Sequence, residues 1–175
     1  MENIIERKKK AVKFKALEIP PFPKEIFLDL TSFCNHACVF CSNPRISNKR
    51  TMDHEMAIRV IKEAYDCGTR DLGMYATGDS FMVKNLHEYV KFAKKDIGYE
   101  YLFITTNGAL ATPEKAKLVL DSGLDSIKFS ISAGRRKTFE EIQGRDDFDQ
   151  VISNLKWISK YREKSGLNFR IYVTM

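Results

Sequence analysis

The chain has 175 residues, the length of one domain, and its 43% apolar and 30% charged residues are the balance of an ordinary soluble globular protein. No stretch approaches the roughly 18–20 consecutive apolar residues of a membrane span. Only 9 Gly and 5 Pro are present, which excludes collagen-like and low-complexity structure.

MENIIERKKKAVKFK places charge where a secretory signal has its apolar core. The expected setting is therefore a reducing cytoplasm, in which the four cysteines are ligands or free thiols rather than disulfides. The net charge of +6 suits a polyanion, an acidic protein partner or an anionic cofactor. Residues 7–15, RKKKAVKFK, carry six cations and no acid and read as a solvated arm within a basic N-terminal segment, 1–24. A nucleic-acid-binding arm is the weaker reading, because no helix-turn-helix, RNA-binding motif or second basic stripe follows.

Pro20, Pro21 and Pro23 force an extended entry into EIFLDLT, 25–31, a first strand. A loop rich in Cys, Asn, Pro and Ser runs to about residue 50. Asp53 then caps a helix with Met56, Ala57, Val60, Ile61 and Ala64 at helical spacing, closed by Gly68. DLGMYA, 71–76, is the second strand and NLHEYVKFAKK, 85–95, the second helix, stopped near Gly98. YLFITT, 101–106, is the third strand, ended by Asn107-Gly108. Thr112 caps a third helix that starts with Pro113 and ends at Gly123. DSIKFSIS, 125–132, is the fourth strand. TFEEIQ forms a short helical turn, and Phe148, Val151, Ile152, Leu155 and Ile158 stripe a fourth full helix, ended by Ser165-Gly166. LNFRIYVTM, 167–175, is the fifth strand.

The alternation predicts an α/β fold with parallel strands and outer helices, either a doubly wound sheet or part of a barrel. The chain stops at Met175, at the end of an apolar strand that wants both edges covered, so the expectation is the N-terminal part of a longer protein.

Cys34, Cys38 and Cys41 lie in CNHACVFC, directly after the first strand. Three thiolates on one loop can converge on a metal centre. One reading is structural zinc with His36 as fourth ligand in a binding module; it is disfavoured because His36 sits between two of the cysteines and no second ligand pair follows. The other is an iron–sulfur cluster with one iron left open. The position favours chemistry, because barrel enzymes place their sites on the loops after the C-terminal strand ends.

CxxxCxxC after the first strand, with the aromatic Phe40 before the last cysteine, resembles the radical S-adenosylmethionine (radical SAM) superfamily over about residues 25–175. The resemblance implies a partial (βα)6 TIM-like barrel, here with five strands. It implies that the cysteines hold a [4Fe-4S] cluster whose fourth iron is chelated by SAM. Reductive cleavage of SAM then yields methionine and a 5′-deoxyadenosyl radical that abstracts hydrogen from substrate. It also implies an electron donor such as flavodoxin or ferredoxin, which an acidic surface would draw to this basic chain. The substrate is open: a peptide, a sugar or a small metabolite.

Further segments follow the resemblance. Gly78-Asp79 looks like the family's Gly-Glu motif for the SAM amino group, with a shorter acid; otherwise TGDS is a plain turn. Thr106 and Asn107 end the third strand where the family lines the SAM site. Ser130 and Ser132 resemble the Ser-x-Asp segment near the SAM ribose and should share one face by strand alternation. Gln143 stands where some members have an arginine for the SAM carboxylate, with Arg135, Arg136 and Arg145 nearby. Cys67, at the end of the first helix, reads as a small hydrophobe, His54 and His87 as helix-surface residues, and Phe81, Leu86, Tyr89, Val90 and Phe92 as core.

Overall fold

A computed structural model describes residues 22–174; the basic segment 7–15, Pro20 and Pro21 lie outside the described residues. Five strands form one sheet: β1 Glu25–Phe27, β2 Asp71–Gly73, β3 Tyr101–Thr106, β4 Ser126–Ser130 and β5 Arg170–Thr174. Every neighbouring pair is parallel and the order is simply β1-β2-β3-β4-β5. A doubly wound sheet reverses its order at a switch point. Sequential order with right-handed crossovers instead keeps every helix on one face and curls the sheet as a barrel does. The winding decides for the barrel-type alternative.

Strand alternation sorts the side chains between the two faces. Leu72, Leu102, Ile104, Ile127 and Phe129 are fully buried in the core shared with the helices. Tyr101, Phe103, Thr105, Ser126 and Lys128 line the concave inner face.

The helices are α1 His54–Asp66, α2 Leu86–Lys91, α3 Pro113–Asp121, α4 Arg136–Gln143 and α5 Phe148–Ser165. Asp53 caps α1 as expected, its Oδ1 accepting from Met56 N at 2.9 Å, and Ala57, Ile61 and Ala64 form its buried stripe. Thr112 occupies the N-cap position of α3, but its side chain makes no capping bond; Pro113 fixes that start by its backbone alone.

The second predicted helix is not regular. After Lys91 it widens into a π-helical turn, Phe92–Ile97, closed by Gly98. No Gly or Pro inside the segment announces this. In that turn Lys94 donates to both Asp125 carboxylate oxygens at 2.9 and 2.8 Å, and to the carbonyls of Tyr99 and Glu100.

The third strand keeps its expected bounds, Tyr101–Thr106, whereas the first, second and fourth are shorter than their apolar runs. The first ladder ends at Phe27 rather than residue 31, because the returning loop takes the later backbone groups. Met52 N donates to Leu30 O and Ser32 N to Arg50 O, both at 2.9 Å, and Thr31 makes an antiparallel bridge with Thr51. The fourth strand ends at Ser130. Ser132, expected to share a face with Ser130, has φ +62°, so strand alternation no longer holds there. Cys67, read as a small hydrophobe, is exposed at the C-cap of α1. The core stripe Phe81, Leu86, Tyr89 and Val90 is buried as expected, with Phe92 packed at its margin.

Candidate functional site

The cysteine loop leaves the C-terminal end of β1 and is held from three sides. Asn43, buried within it, donates from Nδ2 to Ser32 O at 2.7 Å and Thr77 O at 2.9 Å, tying the loop to the segment after β2. Lys49 Nζ donates to the same amide's oxygen. Ala37 N and Val39 N donate to the carbonyls of Gln143 and Ile142 at the end of α4. A backbone so pinned presents its side chains in a fixed arrangement.

Cys34, Cys38 and Cys41 are half-buried free thiols. Burial pushes the Cys34 thiol up, and burial with the neighbouring Cys34 and Cys41 pushes Cys38 up to about 11. Metal-free, Cys34 and Cys38 hold their protons, and a metal must displace them to bind. N–H groups already face the sulfurs: His36 N to Cys34 Sγ at 3.5 Å, Asn43 N to Cys41 Sγ at 3.3 Å, and Asn107 Nδ2 to Cys34 Sγ at 3.8 Å. Such donors stabilise thiolate ligands and tune a cluster. On this observation the three residues fit a thiolate-bound metal group.

The zinc alternative loses its fourth ligand. The His36 side chain is fully enclosed, with Nδ1 3.1 Å from Gln143 Oε1 and Nε2 3.1 Å from Asp147 Oδ2, so both ring nitrogens are occupied. Among the described residues no three His, Cys, Asp or Glu side chains converge on a single ion.

Gly78 and Asp79 sit against this loop. A Cβ on Gly78 would lie 2.2 Å from Thr31 O and 2.4 Å from Phe33 O, so only glycine lets the two segments touch. Asp79 N donates to Phe33 O at 2.9 Å. The Asp79 side chain is only 3% exposed. Its Oδ2 accepts from Thr106 Oγ1 and Asn107 N, both at 2.8 Å, and its Oδ1 from Phe81 N at 3.0 Å. Burial raises its pKa, while the donors from Asn107, Thr106 and Phe81 lower it. The carboxylate is committed to joining the tips of β2 and β3.

Asn107 donates to Asn35 Oδ1 at 2.8 Å and accepts from Ala109 N, holding its side chain against the cysteine loop. Gln143, 1% exposed, is a hub. Its Nε2 donates to Ser130 O at 3.0 Å, Ile131 O at 3.2 Å and Ser132 Oγ at 3.0 Å, and its Oε1 accepts from Cys38 Sγ at 2.8 Å. One side chain thus connects the middle cysteine to the end of β4. Arg145 reaches Asn35 O at 3.3 Å and Asp147 at 3.6 Å, beside the loop. Arg136 is drawn outward to Asp146 and Asp149. Phe40 is 69% exposed next to Cys41.

Sequence reasoning named the cysteines, Gly78, Asp79, Asn107, Ser130 and Ser132, and the structure gathers them at one end of the sheet. It missed Asn43, whose short polar side chain in a Cys-Ser-Asn-Pro loop looks like any turn residue, and the hub role of Gln143.

Residues 28–174 match the radical SAM superfamily, and the chain belongs to it. Members use a [4Fe-4S] cluster and S-adenosylmethionine. The chain is 34% identical over 134 residues to a probable GTP 3′,8-cyclase of Saccharolobus solfataricus, covering 76% of this chain and 42% of that relative. It is 28% identical over 134 residues to the probable GTP 3′,8-cyclase of Sulfurisphaera tokodaii, with the same coverage. The chain therefore spans about 42% of the curated relatives it matches. Streptococcus suis SuiB bound to S-adenosylmethionine superposes with a TM-score of 0.74 at 18% identity, over 95% of this chain and 37% of that one. A structure of anSMEcpe with bound S-adenosylmethionine and a peptide gives 0.66 at 18% identity, over 85% and 42%. These neighbours share the fold. No described helix is long and apolar enough to cross a membrane.

Proposed function

We propose that residues 25–174 are the core of a radical SAM enzyme in which Cys34, Cys38 and Cys41 hold a [4Fe-4S] cluster and leave one iron for S-adenosylmethionine. The observation that carries this is the trio of half-buried free thiols at the end of β1, with backbone N–H groups aimed at Cys34 and Cys41. When bound and reduced, the cluster supplies the electron that splits S-adenosylmethionine into methionine and a 5′-deoxyadenosyl radical.

The chain's own residues position the cofactor. Gly78 keeps the β2 loop in contact with the cysteine loop, so that the loop's backbone can meet the SAM amino group. The Asp79 carboxylate fixes that loop by accepting from Thr106, Asn107 and Phe81, and so positions the loop rather than touching the cofactor. Asn107, Ser130 and Ser132 border the cofactor from β3 and β4, and Phe40 offers an exposed ring beside Cys41. The electron donor is an acidic flavodoxin or ferredoxin, docking near the exposed cations Arg45 and Arg50 of the cysteine loop.

The test is anaerobic reconstitution with iron and sulfide, then incubation with S-adenosylmethionine and dithionite. About four irons per chain, a broad visible shoulder and 5′-deoxyadenosine as product are expected; a colourless protein with one zinc would overturn the reading. A second reading concerns the substrate. The relatives' name makes GTP the first compound to add, and a GTP-dependent rise in 5′-deoxyadenosine would support it.

A further inference from the structure

The concave face of the sheet carries a group that the cofactor site leaves unemployed. The inner face forms an open trough of about 670 Å³, walled by the aromatic rings of Phe27, Tyr75, Phe103 and Tyr172. At its lower end the charges are matched: Lys24 lies 3.1 Å from Glu100 and 3.9 Å from Asp71. Halfway up they are not. The register places Thr105, Lys128 and Tyr172 side by side on β3, β4 and β5. The Lys128 ammonium lies 5.7 Å from the centroid of the Tyr75 ring, and among the described residues no carboxylate pairs with it. Beside it, Thr105 Oγ1 is buried without a hydrogen-bond partner.

An unpaired hydroxyl in a buried position is destabilising, and an ammonium against aromatic walls is weakly compensated by the ring face alone. Both deficits are removed by one ligand: an oxyanion that accepts from Thr105 Oγ1 and from Lys128 Nζ. Charge-assisted bonds of this kind are the strong ones. Ser130 is the next inward residue above Lys128 on β4, roughly 6–7 Å further along the strand. An anionic group at Lys128 therefore lies about one small molecule's length below the cofactor residues at the strand tips.

We propose that Thr105 and Lys128 form an anion subsite for the substrate, taking a phosphate or carboxylate group while the rest of the molecule points up the trough toward the cofactor. The proposal rests on the radical SAM reading for the position of the cofactor. The trough itself is built from strands and not from the cysteine loop.

The test uses the full chain, with and without its cluster. Iron content and S-adenosylmethionine binding are measured first; inorganic pyrophosphate and succinate are then titrated calorimetrically. One of the two should bind, and which one separates a phosphate-bearing from a carboxylate-bearing substrate. Lys128→Met should weaken that binding by about tenfold or more. Thr105→Val should weaken it severalfold, and neither should alter iron content or affinity for S-adenosylmethionine. Three results overturn the subsite: binding of neither anion, equal binding by Lys128→Met, or a loss of S-adenosylmethionine affinity in Lys128→Met, which would give the ammonium to the cofactor's own carboxylate. Loss of iron with anion binding retained would overturn the cysteine reading alone.

Discussion

Burial and the neighbouring thiols push the Cys38 thiol up to about 11, and its Sγ donates to the buried amide oxygen of Gln143 at 2.8 Å. Such a thiol gives up its proton to a metal, not to water. Cys38→Ala should therefore cost most of the bound iron, because two remaining thiolates hold a four-iron cube poorly. Cys67→Ala should leave iron content unchanged, since Cys67 is exposed at the end of α1. A colorimetric iron assay with the visible spectrum decides this, and full iron in the Cys38 variant would remove it from the ligand set. Gly78 gives a second expectation. A methyl group there would meet two backbone carbonyl oxygens at 2.2 and 2.4 Å, and neither can swing away as a side chain could. Gly78→Ala should therefore lower the melting temperature and weaken S-adenosylmethionine binding together; unchanged values for both would show that the two loops separate freely. At this scale spacing was readable from the sequence, which puts three cysteines on one loop, and burial was not. Nothing in the sequence shows that the Asp79 carboxylate is buried and accepts from Thr106, Asn107 and Phe81. Nor does it show that Cys67, a small hydrophobe at a helix end, is exposed at the C-cap of α1.

Helix α4 shows what a local reading can and cannot find. TFEEIQ has the composition of a helical turn, and a helix forms there, closing at Gly144 with φ +71°. Its partner is not local. A Cβ on Gly144 would lie 2.8 Å from Ala37 O, and the carbonyls of Ile142 and Gln143 accept from Val39 and Ala37 across about a hundred residues of sequence. Periodicity carries no information about such a contact. The π-turn at Phe92–Ile97 is hidden for a related reason: its widening coincides with the bonds from Lys94 to Asp125, on another element. The α4 latch has a measurable weight. Gln143→Ala removes one acceptor from Cys38 and His36 and one donor from Ser130, Ile131 and Ser132, of which the bonds to His36 and Ile131 are fully buried. Each buried partner left unsatisfied costs about 1–3 kcal/mol. In a domain of this size each kcal/mol lowers the melting temperature by about 2–4 °C. A fall of several degrees, with slower cluster uptake on reconstitution, is expected in a thermal melt. Arg136→Ala is the control. Its pairs with Asp146 and Asp149 are solvent-exposed, and exposed pairs contribute about 0–1 kcal/mol. If the two variants melt alike, the latch is not what holds the cysteine loop.

For the molecule as a whole, alternating strands and helices were plain from the sequence, but their winding was not. Doubly wound and barrel-type sheets use the same βα units and the same buried apolar strands. The difference lies in strand order, which no residue pattern encodes. Once the order is β1 to β5 without reversal, the inner face becomes a separate surface, and its composition makes sense. Tyr101, Phe103, Ser126 and Lys128 alternate with fully buried Leu102, Ile104, Ile127 and Phe129 because one face meets helices and the other meets a ligand trough. That trough is open along its length in the described residues. A deoxyadenosyl radical must meet its substrate in a space that excludes water and competing donors. The chain of 175 residues should then cleave S-adenosylmethionine slowly when reductant is supplied, and any rise in 5′-deoxyadenosine on adding GTP should be small beside this uncoupled yield. With S-adenosylmethionine and a thiol in deuterated water, part of the 5′-deoxyadenosine should carry solvent-derived deuterium, because the thiol's weak S–H bond exchanges with solvent and competes as a hydrogen donor. Chromatography with mass detection reads both quantities. Rapid multiple turnover with GTP and no deuterium in the product would mean that these strands, open as they are, already shield the radical, and that the inner face is the complete reaction chamber.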